Sequence, residues 1–382
     1  MTFRLGDIVT NFDRQRIPLS SSERQQRQGE FRYYGAQGVI DHINSYIFDG
    51  EYLLVAEDGE NVKSQKNNIA QIVNGQFWVN NHAHVLQSNG LCDLRLLCYV
   101  LNRTDISGYV TGSAQPKLTQ ANLNAIELDL PALEIQHTIA DTLSTLDARI
   151  AENKKINHHL EQMAQAIFKS WFVDFEPFGG VMPDDWRGGT ISEIAESVYS
   201  GGTPNTGTTS FWGGDIPWLS SGETKNHFII ATEKTITQSG VDNSSTRLAH
   251  RFDVVMASAG QGLTRGQTSL LLFDSYVNQS VIVIHSDYPF FLFLNLSGRY
   301  EELRAISDSN SIRGSITTKM LAQFPILLPS KTALSEFSAI LEPLFEQIEC
   351  NLRENVNLAD LRNALLPRLM SGELSVADYA AK

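Results

Sequence analysis

One feature constrains this chain more than any other: a stripe of mostly apolar residues, spaced three or four apart, that occurs twice. The first copy runs Ile139, Leu143, Leu146, Ile150, Asn153, Asn157, Leu160, Ala164, Ile167, Trp171. A shift of 198 residues gives the second: Phe337, Leu341, Leu344, Ile348, Asn351, Asn355, Leu358, Arg362, Leu365, Leu369. From Leu143 to Leu160 the stripe has six positions, and all six are identical in the second copy. The twelve positions between them share no identity. Chance does not sort matches by helical face, so the duplicated property is a seam. The spacing is the heptad of a coiled coil. A helix of about 40 residues reaches roughly 60 Å at 1.5 Å per residue. Two such helices in one chain most simply pair with each other.

Each seam has two asparagines at its centre. Centred antiparallel pairing sets Asn153 against Asn355 and Asn157 against Asn351. Their amides then bond across the seam, and a slipped register buries them unsatisfied at roughly 1–3 kcal/mol each. A polar seam residue trades stability for register. Parallel pairing also matches amide with amide, so the stripe alone leaves orientation open; antiparallel pairing is the expectation adopted. The plainer alternative makes these residues solvated breaks in a loose seam. Pro343 stands where the first copy has Thr145. Proline interrupts a helix interior, which predicts a bend there or a new helix beginning at Pro343. Pro367 should disturb the last turns similarly.

The same shift aligns "YVNQSVIVI" (276–284) with "WVNNHAHVL" (78–86), and Leu123 and Pro131 with Leu321 and Pro329. The repeat therefore extends beyond the helices, in the order globule, helix, globule, helix. The expected fold class is α+β: two mixed globular domains, 1–131 and 179–329, separated by long helices within 132–178 and 330–382. These helices pair as an antiparallel coiled coil in a pseudo-twofold repeat. "YLLVA" (52–56) reads as a buried strand and "IAQIVNGQFWV" as a hairpin around Asn74-Gly75. "FDVVMASAG" and "YVNQSVIVI" read as strands, "SGGTPNTGTTS" (200–210) as a loop, and "YPFFLFLNL" as a buried strand or short helix.

A length of 382 residues suits two or three domains. No apolar run approaches the roughly 18–20 residues of a membrane span, and the start lacks a signal layout. Three cysteines, with no CxxC pair, fit a reducing cytoplasm. A net charge of −13 argues against a generic electrostatic nucleic-acid binder. It leaves room for a specific one, because charge can be local or supplied by a partner. Catalytic signals are poor. His82 and His84 are spaced to share a strand face but lack a third ligand, so no metal is expected. Neither a P-loop nor a GxSxG motif occurs, and "GQGLTRG" lacks dinucleotide spacing.

The first globule concentrates polar and basic residues early. Its candidates for DNA contact are Arg14, Arg16, Arg24, Arg27, Arg32, Tyr33, Tyr34 and Gln37. Arginine reads guanine and glutamine reads adenine through paired bonds in the major groove, while tyrosine and serine commonly touch phosphate. A solvated basic loop is the alternative. In the second globule the candidates are Thr203, Asn205, Ser220, Ser221, Lys225, Arg247, Arg265, Gln267 and Arg313.

Two halves, each a variable globule followed by a similar heptad helix, resemble the specificity subunit of type I restriction–modification systems. The resemblance covers the whole chain. It is sharpest in "PALEIQHTIADTLSTLDARIAENKKINHHLEQMAQAIFKSWF", in "LRNALLPRLMSGEL" and in "SGGTP" (200–204), which looks like a common opening of the family's target recognition domains. The first globule has "NFDRQRIPLS" instead, which makes its loop-level comparison with the second unsafe. The resemblance implies that each globule reads one half of a split site on double-stranded DNA and that the helices set the gap. It implies two methyltransferase subunits using S-adenosylmethionine, joined by motor-endonuclease subunits using ATP and magnesium. The chain itself then binds no cofactor, catalyses nothing and directs adenine methylation; it lacks the Asn-Pro-Pro-aromatic motif. Trp171, Phe172, Phe175, Leu365 and Leu369 form more apolar surface than two helices can cover, and are expected to hold the methyltransferases. The runner-up is a stand-alone DNA-binding regulator, pseudo-dimeric within one chain; a third reading is an enzyme with an unrecognised site.

Overall fold

The computed structural model describes residues 1–112, 115–260, 264–309 and 314–374. The chain forms two compact units. One comprises Met1–Arg149 with the segment from Leu358, the other Ile150–Asn357.

In the first unit, six strands form one mixed sheet in the order Val9–Asn11, Ala83–Ser88, Phe48–Ala56, Ala70–Val79, Gln28–Gly35, Gly38–Ile43. The apolar run Tyr52–Ala56 is buried throughout. The helix Leu94–Leu101 starts at Asp93, whose carboxylate accepts the N–H groups of Arg95 and Leu96. It packs Leu97 and Leu101 with Leu53, Val55 and Leu86 into the core. Thr2–Arg4 pairs antiparallel with Glu127–Asp129, which brings the ends of the first globule together.

The second unit repeats this plan. Arg187–Thr190 closes on Pro325–Leu328. The run from Tyr288 is the helix Pro289–Ser297, with Phe290 to Leu294 buried. Its strands lie in a five-stranded and a four-stranded sheet.

Asn74-Gly75 does not make a hairpin. Ala70–Val79 is one strand, and it pairs along both halves with Phe48–Ala56. Gly75 stands opposite Gly50, at φ of +84° and +126°. Such angles suit glycine, so the pair bends two strands together. In the second unit the equivalent strands are broken there, into Thr268–Leu271 and Ser275–Val277. A turn dipeptide marks a place where the backbone must depart from the extended form, and pairing decides whether it folds back or bends.

The long helices are Leu133–Phe172 and Lys331–Met370, each of 40 residues and offset by the repeat shift. No new helix starts at Pro343, and the second helix runs through Pro367 as well. An interior proline costs about 3 kcal/mol. Burial of Leu341, Phe345 and Ile348 around Pro343 offsets it, at roughly 1.5–3 kcal/mol per large apolar side chain.

Within the second unit the helices pair antiparallel. The Asn153 amide donates to the Asn355 carbonyl oxygen at 3.0 Å and to Glu354 at 2.7 Å. Asn351 donates to Asn157 at 2.7 Å and accepts from Gln347 at 2.8 Å. Within the first unit Arg362 pairs with Asp147, while Leu366 and Leu369 pack against Ile139 and Leu143. Replacing Asn157 with leucine should strand the buried Asn351 amide and cost about 1–3 kcal/mol. The double change Asn157→Leu with Asn351→Leu should recover much of that loss. Urea midpoints of the full chain measure both.

Of the five helix-end apolar residues, Phe172 and Leu369 are buried, while Trp171, Phe175 and Leu365 are half-buried. Trp171, Phe172 and Phe175 pack with Phe337, Phe291 and Trp186 in the core of the second unit. Leu365 and Leu369 pack against Leu96 and Tyr99 in the first. The expectation counted only the helices as cover; the globular segments cover part of this surface as well. Among the described residues, no helix is long and apolar enough to cross a membrane.

Candidate nucleic-acid interface

Of the candidates in the first unit, Arg32, Tyr33 and Tyr34 lie on the strand Gln28–Gly35, and Arg24 and Arg27 immediately precede it. Gln28–Gly35 lies parallel to the end of Ala70–Val79, with Tyr33 beside Trp78. The other edge of Gln28–Gly35 pairs antiparallel with Gly38–Ile43. The short helix Ser21–Gln25 begins in a capping box between Ser20 and Glu23 and precedes the strand. Three arginines lie over aromatic rings here: Arg24 over Tyr33 at 5.3 Å, Arg27 over Trp78 at 4.9 Å and Arg32 over Tyr34 at 5.6 Å. A guanidinium over an aromatic face gains attraction.

The second unit builds the same place from different residues. Trp212–Leu219 lies parallel to Ser275–Val277, with Trp218 beside Tyr276. Trp78 and Tyr276 are equivalent under the repeat shift, so Tyr33 and Trp218 are structural counterparts. Cations again lie over rings: Arg247 over Tyr199 at 3.9 Å and Lys234 over Trp212 at 5.9 Å. Burial pushes the Tyr199 hydroxyl up to about 12, and it donates to the Leu248 carbonyl at 2.6 Å. It therefore stays neutral under its arginine. The "SGG" opening is set by close packing. A Cβ on Gly201 would stand 1.9 Å from the Val277 carbonyl oxygen, and one on Gly202 would stand 2.1 Å from Ser245 Oγ. Trp218 Nε1 donates to Gly202 at 3.3 Å and anchors the loop.

The individual candidates divide by environment. Arg14, Gln37, Asn205, Lys225 and Arg247 are exposed, and Arg27 and Arg32 are half-buried. Arg32 also donates to the Asn74 carbonyl at 2.6 Å. Thr203 donates to Gln279. Ser220 caps a turn through Glu223, and Ser221 accepts from Thr224 at 2.9 Å. Arg24 is held by Asp41 at 2.9 Å and the Leu19 carbonyl at 2.9 Å. Tyr33 and Tyr34 are buried, so their rings pack and support the arginines. Gln267 is half-buried.

Two arginines point inward. Arg16 pairs with Glu57 at 2.8 Å and donates to the Ala83 carbonyl at 2.8 Å. It belongs to a buried network. His84 bonds Asp13 at 2.5 Å through Nδ1 and the Leu118 carbonyl at 2.8 Å through Nε2, so both ring nitrogens are engaged within the protein. Burial acts to raise the Asp13 carboxyl, but the bond and charge of His84, the Val85 N–H and Arg16 hold it below its usual value. His82 goes elsewhere, to Asp58 at 2.7 Å. Arg265 is also buried; it donates to the Gly314 carbonyl at 3.1 Å and pairs with Asp308. Arg313 lies outside the described residues. Among the described residues, no cluster of three histidine, cysteine or carboxylate side chains is placed to hold a metal.

Of the rings beneath the cations, Tyr33 and Tyr34 were candidates in the sequence, but Trp78, Trp212 and Tyr199 were not singled out there. Trp78, Trp212, Trp218 and Tyr199 reach their partners through parallel or long-range pairing, which leaves no local pattern. The usable signal was the equivalence of Trp78 and Tyr276 within the repeat.

The model of the type I restriction modification DNA specificity domain matches the chain twice, over residues 1–162 and 183–358. The MjaIX type I restriction enzyme specificity subunit of Methanocaldococcus jannaschii is 27% identical over 289 residues, or 72% of this chain and 66% of that protein. A putative type I restriction enzyme specificity subunit of Haemophilus influenzae is 33% identical over 148 residues, 39% of this chain and 37% of that protein. The crystal structure of a type I restriction–modification S subunit from M. genitalium superposes with a TM-score of 0.65 at 13% identity. It covers 97% of this chain and 95% of that one.

Proposed function

Because this chain belongs to the type I restriction modification DNA specificity family, we propose that it reads a two-part site on double-stranded DNA, one part with each globular segment. It is a specificity subunit and not itself a catalyst. It brings the bound site to two methyltransferase subunits, which methylate adenine using S-adenosylmethionine. Motor-endonuclease subunits, with ATP and magnesium, join them to cut unmodified DNA in the cytoplasm. The observation that carries the two-part reading is the repeated strand placement: Tyr33 beside Trp78 and Trp218 beside Tyr276, each with cations stacked nearby. Equivalent frames presenting different side chains suit two different half-sites. Partner subunits supply part of the phosphate-neutralising charge, which accommodates a net charge of −13.

Within this reading Arg27, Arg32 and Arg247 contact bases or phosphates, and the exposed Arg14, Gln37, Asn205 and Lys225 are further contacts. The asparagine pairs hold helix register. Methylome sequencing of cells carrying the whole system tests the proposal. The expected result is one motif with two specified halves and an unspecified gap. A chain that ignores its cognate methyltransferase in co-purification, yet binds DNA alone, would instead be a stand-alone regulator. In the reconstituted complex, Arg27→Ala should weaken cognate binding by about 1–3 kcal/mol, the worth of a paired arginine–base contact. Non-cognate binding should change less; equal losses on both duplexes would reassign Arg27 to phosphate. Arg265→Ala should leave the motif unchanged and lower stability, since its bonds are internal.

A further inference from the structure

The first unit contains a cavity of about 550 Å³ bounded by the strand at Ala70–Ile72, the helix Leu94–Leu101 and both long helices. Among the described residues, four cations line it, Lys66, Arg95, Arg103 and Arg362, against the single carboxylate of Asp147. This is the reverse of the chain's overall balance of −13. Two of the cations are already neutralised. Arg95 bonds Asp93 at 2.8 Å and Asp141 at 2.7 Å, and Arg362 pairs with Asp147. The side chains of Lys66 and Arg103 have no ion pair or hydrogen bond among the described residues.

The rim that carries these two is tied in place. Gln65 has φ of +50°, a conformation that costs a non-glycine residue energy. Its side-chain amide donates to the Thr104 carbonyl at 3.0 Å, joining the Lys66 loop to the turn that bears Arg103. Asn102 bridges the same turn to the strand through both atoms of its amide, at 2.8 and 2.9 Å to Ala70.

The fold does not require this chemistry. Under the repeat shift, Asn68, Ala70, Tyr99 and Asn102 become Gly266, Thr268, Ser297 and Tyr300, which line a cavity of only about 200 Å³ in the second unit. There Lys66 becomes Thr264, Arg103 becomes Glu301, and Arg95 and Asp147 become Phe293 and Phe345, buried rings with centroids 5.9 Å apart. One copy of the repeat fills this place with aromatic rings; the other keeps it open and cationic.

We infer that the first-unit cavity is a phosphate-binding site, with Lys66 and Arg103 as its anchoring cations. Guanidinium and ammonium groups are the usual partners of phosphate oxygens, and the volume admits a nucleotide-sized ligand. The phosphate comes either from a free organic phosphate or from a DNA backbone. Titration of the full chain with inorganic pyrophosphate, followed by calorimetry, tests the site. One saturable site is expected, weakened about tenfold or more in the double variant Lys66→Gln with Arg103→Gln. The size-keeping exchange of exposed side chains leaves thermal unfolding in place as a check on folding. Lys154→Gln, at an exposed position on the first long helix, should leave pyrophosphate binding unchanged. Competition by ATP but not by a short duplex would identify a free nucleotide as the source; competition by the duplex would identify the DNA backbone. No saturable binding, or binding that the double variant keeps or that Lys154→Gln weakens equally, overturns the inference.

Discussion

Replacing residues 181–329 with the second domain of another family member should change one half of the modified DNA motif and leave the other half intact. The structure favours this exchange because the segment closes on itself. Arg187–Thr190 pairs with Pro325–Leu328, so the two junctions lie at the ends of one small sheet. The ring-supported cations Lys234 and Arg247 travel with the segment, whereas Arg27, Arg32 and Trp78 stay behind. Methylome sequencing of cells with parent and chimera reads the outcome. A change in both halves, or in neither, would show that the two segments do not read independently.

The second large effect concerns the gap between half-sites. Both long helices have residues in each unit, so lengthening them together should lengthen the gap. The bonded pairs show where the insertions must go. Asn157 faces Asn351 and Asn153 faces Asn355. Seven residues added after Asn157 therefore need seven added just before Asn351; a matching insertion after Asn355 would pull the amides off their partners. A heptad keeps the seam in phase and adds roughly 10 Å. At about 3.4 Å per base pair, the unspecified gap should grow by about three base pairs while both half-site sequences stay the same. The added length also turns one half-site by roughly a quarter turn around the duplex, so modification should slow. Surviving modification with an unaltered gap would mean that something other than the helices sets the distance.

How much of this was legible beforehand follows from the range of the interactions. The seam was readable because its periodicity is local and was stated twice. Six identical positions against twelve unmatched ones marked helix, face and register together, and the repeat offset later matched both 40-residue helices. The asparagine pairs followed because an amide in an apolar seam has few partners. Orientation did not follow, since the pattern is symmetric under reversal. Only the observed bonds, from 153 to 355 and from 351 to 157, decide it.

The candidate interface was harder to read for the opposite reason. An arginine's availability depends on groups far away in the chain. Arg16 is taken up by Glu57 and the Ala83 carbonyl, and Arg265 by Asp308 and the Gly314 carbonyl. Arg27 lies over Trp78, a ring that only parallel pairing brings near. Pro343 breaks a local rule that neighbouring buried side chains override. What the sequence determined by itself was the repeat, the seam and the family, because periodicity and duplication survive in one dimension. Which cations face outward, which glycine pair bends a strand, and which copy of the repeat keeps an open cavity were decided by tertiary structure. Burial and pairing are set by neighbours that the chain supplies only once it has folded.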